Sequence, residues 1–480
     1  MQVIPAAARE RASARFVAIY ALAYAALWLA LLTPAIITLA LRVRQLAPGN
    51  AAEPISRVLM AGAVVALVSN PVFGALSDST RSRFGRRRPW LVGGVLCGCA
   101  SLAVIGLAPT VNIVLWGWCA AQLAFNAVLA SMVAIIPDRV PPAQRGTVVG
   151  ILGICMPIGQ ITGTFLVQLL VVNMTLALVI PGVIGVVGVL ALTLALGREP
   201  GAVGSPPGRY AGTAGTGGPL GEAASVAHVG AVGSPPGRQV GTAGAGGLPG
   251  QAASVEHVGA VPASGSAALA RTEAASPASV GAALPAGRGS HRDFAWAWMS
   301  RVFFTTGSSF LQAYQPFFLL DALHLGAADV PRLMFRSTLV QAAMVVIWSV
   351  ISGRLSDRMG MRKPFVMAGS TLQGLGLWLI ACSHSYTSLL FGVGLVGMGH
   401  GVYEGVDLAL VTDVLPDRAR HAAKDLGLLN IANTLPQVIA PLAAPAILEV
   451  SRGDYMLLFA VAGALAVLGS VFLLLLKKVR

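Results

Sequence analysis

The chain has 480 residues, of which 55% are apolar and only 11% charged, with a formal net charge of +14. Soluble domains carry roughly 25% charged residues, so this composition cannot cover the surface of a water-soluble protein of that length. A mean hydropathy of +0.75 agrees, and the bilayer is the expected solvent for most of the chain. The cysteines Cys97, Cys99, Cys119, Cys155 and Cys382 lie in apolar runs without metal-ligand or disulfide-framework spacing and read as small packing residues.

Apolar runs of about 20 residues, one bilayer crossing each, fall near 16–41, 56–77, 90–109, 112–136, 147–171 and 175–196. A second set falls near 296–320, 333–355, 365–383, 387–412, 426–449 and 455–476. The first run is too long, and lacks a small-residue cleavage site, to be a removable signal peptide. Basic residues sort by side. Arg42, Arg44, Arg57, Arg332, Arg336 and Arg452 occupy one set of loops, Arg301 lies inside span seven, and the remaining 26 of the 33 Lys and Arg lie on the other side. The positive-inside rule therefore predicts a multi-pass protein of the plasma membrane with both termini cytoplasmic. The basic charge is used by topology, which removes the case for nucleic acid as a partner.

Residues 197–292 are rich in Gly, Ala, Pro and Ser and too poor in bulky apolar groups to bury a core. Gly201–Val229 recurs as Gly230–Val258 with 22 of 29 positions identical, and a third copy starts at Gly259 and decays. The unit has no hydrophobic face with which to stack as a solenoid. A disordered cytoplasmic linker is predicted, with partner docking as the alternative. The expected organisation is a six-helix bundle over 1–196, the linker over 197–292, and a second six-helix bundle over 293–480.

The bundles are copies. Gly74-Ala-Leu-Ser-Asp78 matches Gly353-Arg-Leu-Ser-Asp357 at an offset of 279, and Pro137-Asp138-Arg139 matches Pro416-Asp417-Arg418 at the same offset. An even number of spans separates the copies, so they share one orientation, a parallel repeat. The loop from Gly74 through Asp78, Gly85, Arg86, Arg87, Arg88 and Pro89 resembles the signature loop between helices two and three of the major facilitator superfamily. Its counterpart, Asp357-Arg-Met-Gly360-Met-Arg362-Lys363-Pro364, has the ordinary spacing of that loop. The four extra residues of the first copy make it similar to plant sucrose transporters and to the glycoside–pentoside–hexuronide cation symporters. The resemblance implies an all-α integral membrane protein: twelve helices in two six-helix bundles, a solute site near the midplane, and a cytoplasmic latch. Asp78, Gly85, Arg86, Arg87, Asp357 and Arg362 are the gating candidates it suggests, with topology charges and loop caps as the alternative.

Ionisable groups at membrane depth mark functional sites. On span ten His400, Glu404 and Asp407 fall within an arc of about 60° on one helix face. They are candidates for proton coupling, with Glu404 as the proton carrier and Asp407 as a charge partner nearer the interface; a helix contact alone is the alternative for His400. On span eleven Asn430, Asn433 and Gln437 share a face. At the 279 offset Ile151, Ile154 and Ile158 replace them, which suggests that the chemistry sits mainly in the C-terminal half. Interhelical hydrogen bonding is the plain alternative.

Span one carries Tyr20, Tyr24 and Trp28 at i, i+4 and i+8, aromatic platforms for the C–H face of a sugar, Tyr20 being read as interface belt. Gln122, Asn126, Gln160, Gln312 and Gln315 add neutral donors and acceptors. An amide-lined cavity suits a neutral, hydroxyl-rich solute. Melibiose-type relatives place acids on helices two and four for their cation; neither acid is present here, so the resemblance favours protons over sodium. The expected function is proton-coupled transport of a sugar or glycoside. Export of drug-like or secondary metabolites, and a non-transporting receptor or scaffold, are the alternatives. No Walker loop, zinc motif or nucleophile triad is present, so no enzyme, cofactor or metal is expected, and the chain is expected to act as a monomer.

Overall fold

A computed structural model describes residues 12–48, 51–80, 82, 84–196, 291–414 and 422–476. The side chains of 142–143, 291, 408–409 and 411–430 are not described. The predicted linker lies outside the described residues except for its last two, His291 and Arg292. So do the Pro416-Asp417-Arg418 copy and the side chain of Asn430.

The described residues form helices alone. In the first half these are α1 (Ala14–Leu46), α2 (Ala52–Ser79), α3 (Arg88–Leu107), α4 (Val111–Arg139), α5 (Pro142–Leu170) and α6 (Met174–Ala195). The second half adds α7 (His291–Phe317), α8 (Val330–Met359), α9 (Lys363–Ala381), α10 (Tyr386–Val414), α11 (Ala422–Val450) and α12 (Tyr455–Leu474). Among the described residues eleven helices are apolar and long enough to cross a bilayer by length and composition. The exception is α7, whose Asp293, Arg301 and run of Ser, Thr and Gln lower its hydropathy.

Starts are set by local chemistry. Ser13 Oγ accepts from Phe16 N–H at 3.2 Å, Asn173 Oδ1 caps α6 and Asp454 Oδ1 caps α12, each satisfying an orphan helix N–H. Pro89 and Pro364 sit in the first turns of α3 and α9, where a missing N–H costs nothing. Both signature loops turn through a glycine of positive φ, Gly85 at 95° and Gly360 at 63°, a conformation that strains any residue with a Cβ. Single π-helical turns interrupt α1 at Pro34–Thr38 and extend α7 at Phe318–Ala322.

The packing repeats the sequence repeat. α1 packs on α5 and α6 as α7 packs on α11 and α12; α3 lies against α4 and α6 as α9 lies against α10 and α12; α2 pairs with α4 as α8 pairs with α10. Between halves the largest contacts are α2 with α11 and α5 with α8, again a symmetric pair. The 279-residue offset is thus a pseudo-twofold relation, as expected for parallel repeats. On α10, Gly397, Gly401 and Gly405 bring the helix hard against α8: a Cβ on Gly401 would stand 2.5 Å from the Val345 carbonyl oxygen, and one on Gly405 2.5 Å from that of Ser349. This small-residue seam fixes the rotation of α10 and so the face on which His400, Glu404 and Asp407 appear.

Candidate functional site

A cavity of about 1110 Å³ runs between the halves, lined by α1, α2, α4 and α5 on one side and by α7 and α11 on the other. Its charged lining residues, Asp78, Arg86, Arg87 and Asp138, stand where α2 and α4 end, so the cavity opens at the end that carries the α2–α3 loop. Deeper in, the lining holds Trp28 and Tyr24, the amides Asn70, Gln122, Asn126, Gln312 and Gln437, and Ser309 and Thr434. The rest is apolar, including Leu67, Val68, Val72, Leu129 and Val133.

The predicted solute residues divide on rotation about their helices. Tyr24 and Trp28 meet edge to face with centroids 6.1 Å apart, and Asn126 Nδ2 donates to the Gln122 side chain at 3.2 Å; with Gln312 and Gln437 they line the cavity. Gln160, Gln315 and Asn433 do not. Gln315 is buried, and Asn433 faces a charge. Tyr20 departs from the interface belt: it is fully buried, and its hydroxyl donates to the Met132 carbonyl at 2.7 Å. The N-terminal half supplies most of the cavity wall, because α2 and α4 expose long faces to it. Ile151, Ile154 and Ile158 are exposed but outside that wall.

Behind α7 and α11 lies a polar cluster. Arg301 Nη1 pairs with Asp407 Oδ2 at 2.7 Å, while Arg301 Nε donates to Asn433 Oδ1 at 2.8 Å. Asp407 is only 4% exposed. α7 and α11 cover it against hydration, and its counter-charge comes from α7. One turn away His400 Nε2 and Glu404 Oε1 stand 3.1 Å apart, and His400 Nδ1 lies 3.4 Å from Ser308 Oγ. Ser308 donates in turn to Gln373 Oε1. Phe304 packs over this group, stacked on Tyr403 with centroids 3.7 Å apart. Ser308 touches the cluster while its neighbour Ser309 lines the cavity, and Asn433 holds Arg301 while Thr434 lines it. α7 and α11 are therefore the partition between cavity and charges.

At the mouth the latch candidates gather within one half. Arg87 bridges Asp78 at 2.5 Å and Asp138 at 3.2 Å and also donates to Ser77 Oγ; Arg86 reaches Asp138 at 3.4 Å. In the second half Arg362 approaches Asp357 only at 3.8 Å, with Asp357 largely exposed. The opposite end is closed by contacts that cross between halves. Arg44 pairs with Asp321 at 2.5 Å and Ser56 Oγ meets Tyr314 Oη at 2.5 Å, while the Tyr455 hydroxyl, from the same half as Asp321, donates to Asp321 Oδ2 at 3.1 Å. Phe165 and Phe335 join α5 to α8.

The sequence reading passed over Arg301, Asn70, Asp138 and Arg44 as site residues, and gave Asp321 only as a reserve proton carrier without its partner Arg44. For Arg301 the signal was present, a lone guanidinium inside an apolar span, and for Asn70 an amide next to Pro71 in the middle of α2.

Comparison with known proteins follows this geometry. The Major Facilitator Superfamily model matches residues 13–352 and 297–480. The Oryza sativa sucrose transport protein SUT4 is 28% identical over 160 residues, 29% of this chain and 25% of that protein. The Schizosaccharomyces pombe general alpha-glucoside permease is 29% identical over 132 residues, 23% of each chain. Multidrug resistance protein MdtL of Klebsiella pneumoniae is 36% identical over 92 residues, 19% of this chain and 23% of that one. Each match thus spans about a quarter of the relative's own length. Among solved structures, the POT family transporter PepTSo superposes with a TM-score of 0.65 at 11% identity, covering 97% of this chain and 98% of that one. A bacterial homologue of the human lysosomal transporter Spinster, inward-facing and occupied, gives 0.63 at 14% identity, covering 97% and 96%. The fold, the internal repeat and the family match agree: the chain is a multi-pass membrane transporter, not an enzyme, and belongs to the Major Facilitator Superfamily.

Proposed function

We propose that the chain moves a small, neutral, hydroxyl-rich solute, a sugar or glycoside, by proton-coupled alternating access. One observation carries the solute class: the charged lining residues stand at the mouth, and the wall deeper in offers Gln122, Asn126, Gln312, Gln437 and the indole of Trp28. An amide both donates and accepts, as a hydroxyl does, whereas an ionic solute would meet no counter-charge at that depth. The stretches shared with a sucrose transport protein and an alpha-glucoside permease support the same class. With the termini in the cytoplasm, as the basic loops predict, the open end faces inward. His400 and Glu404 supply the proton site, because they form an acid–base pair at membrane depth one helix away from the cavity. Asp407 is held by Arg301 and serves as its fixed charge partner.

The test is ligand-induced stabilisation of the purified protein across sugars, glycosides and amphiphilic drugs, since a ligand that binds only the folded state raises its unfolding temperature. Uptake into proteoliposomes under an imposed pH gradient completes it. Stabilisation by sugars and uptake that collapses when the gradient is dissipated are expected; stabilisation by drugs alone would overturn the solute class. A second reading, export of amphiphilic metabolites, is favoured by the apolar wall of Leu67, Val68, Val72, Leu129 and Val133 and by the stretch shared with MdtL. The same panel decides between them.

A further inference from the structure

Nine prolines lie inside the described helices: Pro34 in α1, Pro71 in α2, Pro137 in α4, Pro157 in α5, Pro181 in α6, Pro316 in α7, and Pro436, Pro441 and Pro445 in α11. A proline has no N–H, so the carbonyl four residues earlier loses its helical donor. In a membrane protein such a carbonyl must find a side chain or open onto a polar cavity. The carbonyl of Ala432, freed by Pro436 and buried, shows the first solution: Thr305 Oγ1, shared with the Arg301 carbonyl at 2.7 Å, lies 3.0 Å from it.

Three others show the second. Leu67 and Pro71, Val133 and Pro137, and Gln437 and Pro441 all line the cavity, both members of each pair. Residues four apart share a helix face, so each freed carbonyl lies at the helix face that lines the cavity. Among the described residues no side chain donates to any of the three. The apolar side chains of Leu67 and Val133 conceal this, since the polar group at each position belongs to the main chain.

We propose that the main-chain carbonyls of Leu67, Val133 and Gln437 are solute-binding acceptors that take hydroxyl hydrogens from the transported molecule. This rests on the reading of the solute as neutral and hydroxyl-rich, and it completes the chemistry, because the amides alone leave the α2 wall with Asn70 as its one amide. At 1.5 Å rise per residue, Val133 lies about 8 Å and Leu67 about 16 Å along its helix from the rim carboxylates Asp138 and Asp78. Carbonyls staggered in this way cannot close a cage round one cation, which needs several oxygens at one point. They suit the successive hydroxyls of a polyol on its way from the deep amides to the mouth.

Pro71→Ala tests this, because it restores the N–H that closes the Leu67 carbonyl without touching a side chain of the amide set. Pro137→Ala and Pro441→Ala are read independently, so that failure of one variant to fold leaves the others. Pro181→Ala is the control: Pro181 and Ala177 are buried in α6, which does not line the cavity. The probes are sucrose, maltose and phenyl β-glucoside, and the readout is the Kd from thermal-shift titration. Unliganded Pro71→Ala should unfold at or above the parent's temperature while its Kd for the stabilising sugar rises roughly five- to tenfold, the loss of one hydrogen bond. Pro181→Ala should keep the parent's Kd. If all three cavity variants bind as the parent does, the carbonyls are not acceptors and only the further inference falls. If Pro181→Ala weakens binding equally, the prolines act as kinks and the inference falls again. If no probe stabilises the parent, the solute class itself is wrong and the inference goes with it.

Discussion

Removing one charge of the Arg301–Asp407 pair should be among the most damaging single changes in the C-terminal half. The partners are 2.7 Å apart, with side-chain exposures of 17% and 5%. Breaking a buried pair by removing one partner costs about 3–5 kcal/mol, because the remaining charge is stranded away from water. Arg301→Met strands Asp407 and should approach the upper value. Asp407→Asn should cost less, about 2–3 kcal/mol on the same scale, because the guanidinium keeps Asn433 at 2.8 Å and is the more exposed partner. The double variant Arg301→Met with Asp407→Leu removes both charges and should recover most of the loss, a coupling energy of about 2 kcal/mol or more between the sites. Thermal unfolding and monodispersity in detergent would read all three variants against the parent. Single variants as stable as the parent would refute the reasoning, since they would mean that water reaches both charges. A double variant no better than the worse single would refute it too.

Three further outcomes follow. Glu404→Gln fixes the neutral form of the proposed proton carrier, so solute exchange should survive in proteoliposomes while uphill accumulation under a pH gradient is lost; full accumulation would move the proton to another group. Arg44→Asp should loosen the closed end, shifting the ratio of states by about fivefold for a half-exposed pair worth roughly 1 kcal/mol. Electron–electron distances between labels at Val172 and His384, both exposed loop positions, would lengthen in Arg44→Asp and return in the swap Arg44→Asp with Asp321→Arg; unchanged distances would exclude a gate. Deleting 201–258 should leave transport intact, because the remaining linker still reaches far at about 3.3 Å per residue, and loss of transport would point to docking by the repeat.

Architecture was legible because each of its signals is one-dimensional. Run length gives a crossing, and the shared offset between Asp78 and Asp357 gives the repeat. Side-chain rotation is another matter. Gln312 and Gln315 stand about 60° apart on α7, yet one lines the cavity and the other is buried. An apolar helix packed on several sides and bathed in lipid on the rest carries little periodicity to say which face is which. The close approach that orients α10, glycine against the α8 backbone, depends on a neighbour far away in sequence. So does the partner of Asp407. The angular reading placed His400, Glu404 and Asp407 on one face, but their division into a half-exposed acid–base pair and a buried ion pair follows from Arg301, 106 residues earlier. The cavity-facing carbonyls escaped for a different reason: each is announced by a proline, but only the position of that proline on the cavity wall separates Pro71 from Pro181.

The two ends of the bundle are held differently, and this decides what each contact can do in a transport cycle. At the mouth Arg87, Asp78 and Asp138 belong to one half. Their bonds can persist while the halves rock, so in this state they shape the α2–α3 loop and do not hold the halves together. At the far end Arg44–Asp321 and Ser56–Tyr314 join α1 and α2 to α7 and must break for that end to open. The π-helical turns of α1 and α7 lie beside these same contacts, where a looser helical hydrogen-bond ladder lets the ends bend at modest cost. A solute can shift the balance only through contacts that differ between the two states. The lining residues Ser309 and Gln312 sit on α7 between the cavity and His400, and Gln312 lies two residues from Tyr314. A molecule bound to α7 therefore acts on a helix that touches the proton pair on one side and carries the closed end at its tip.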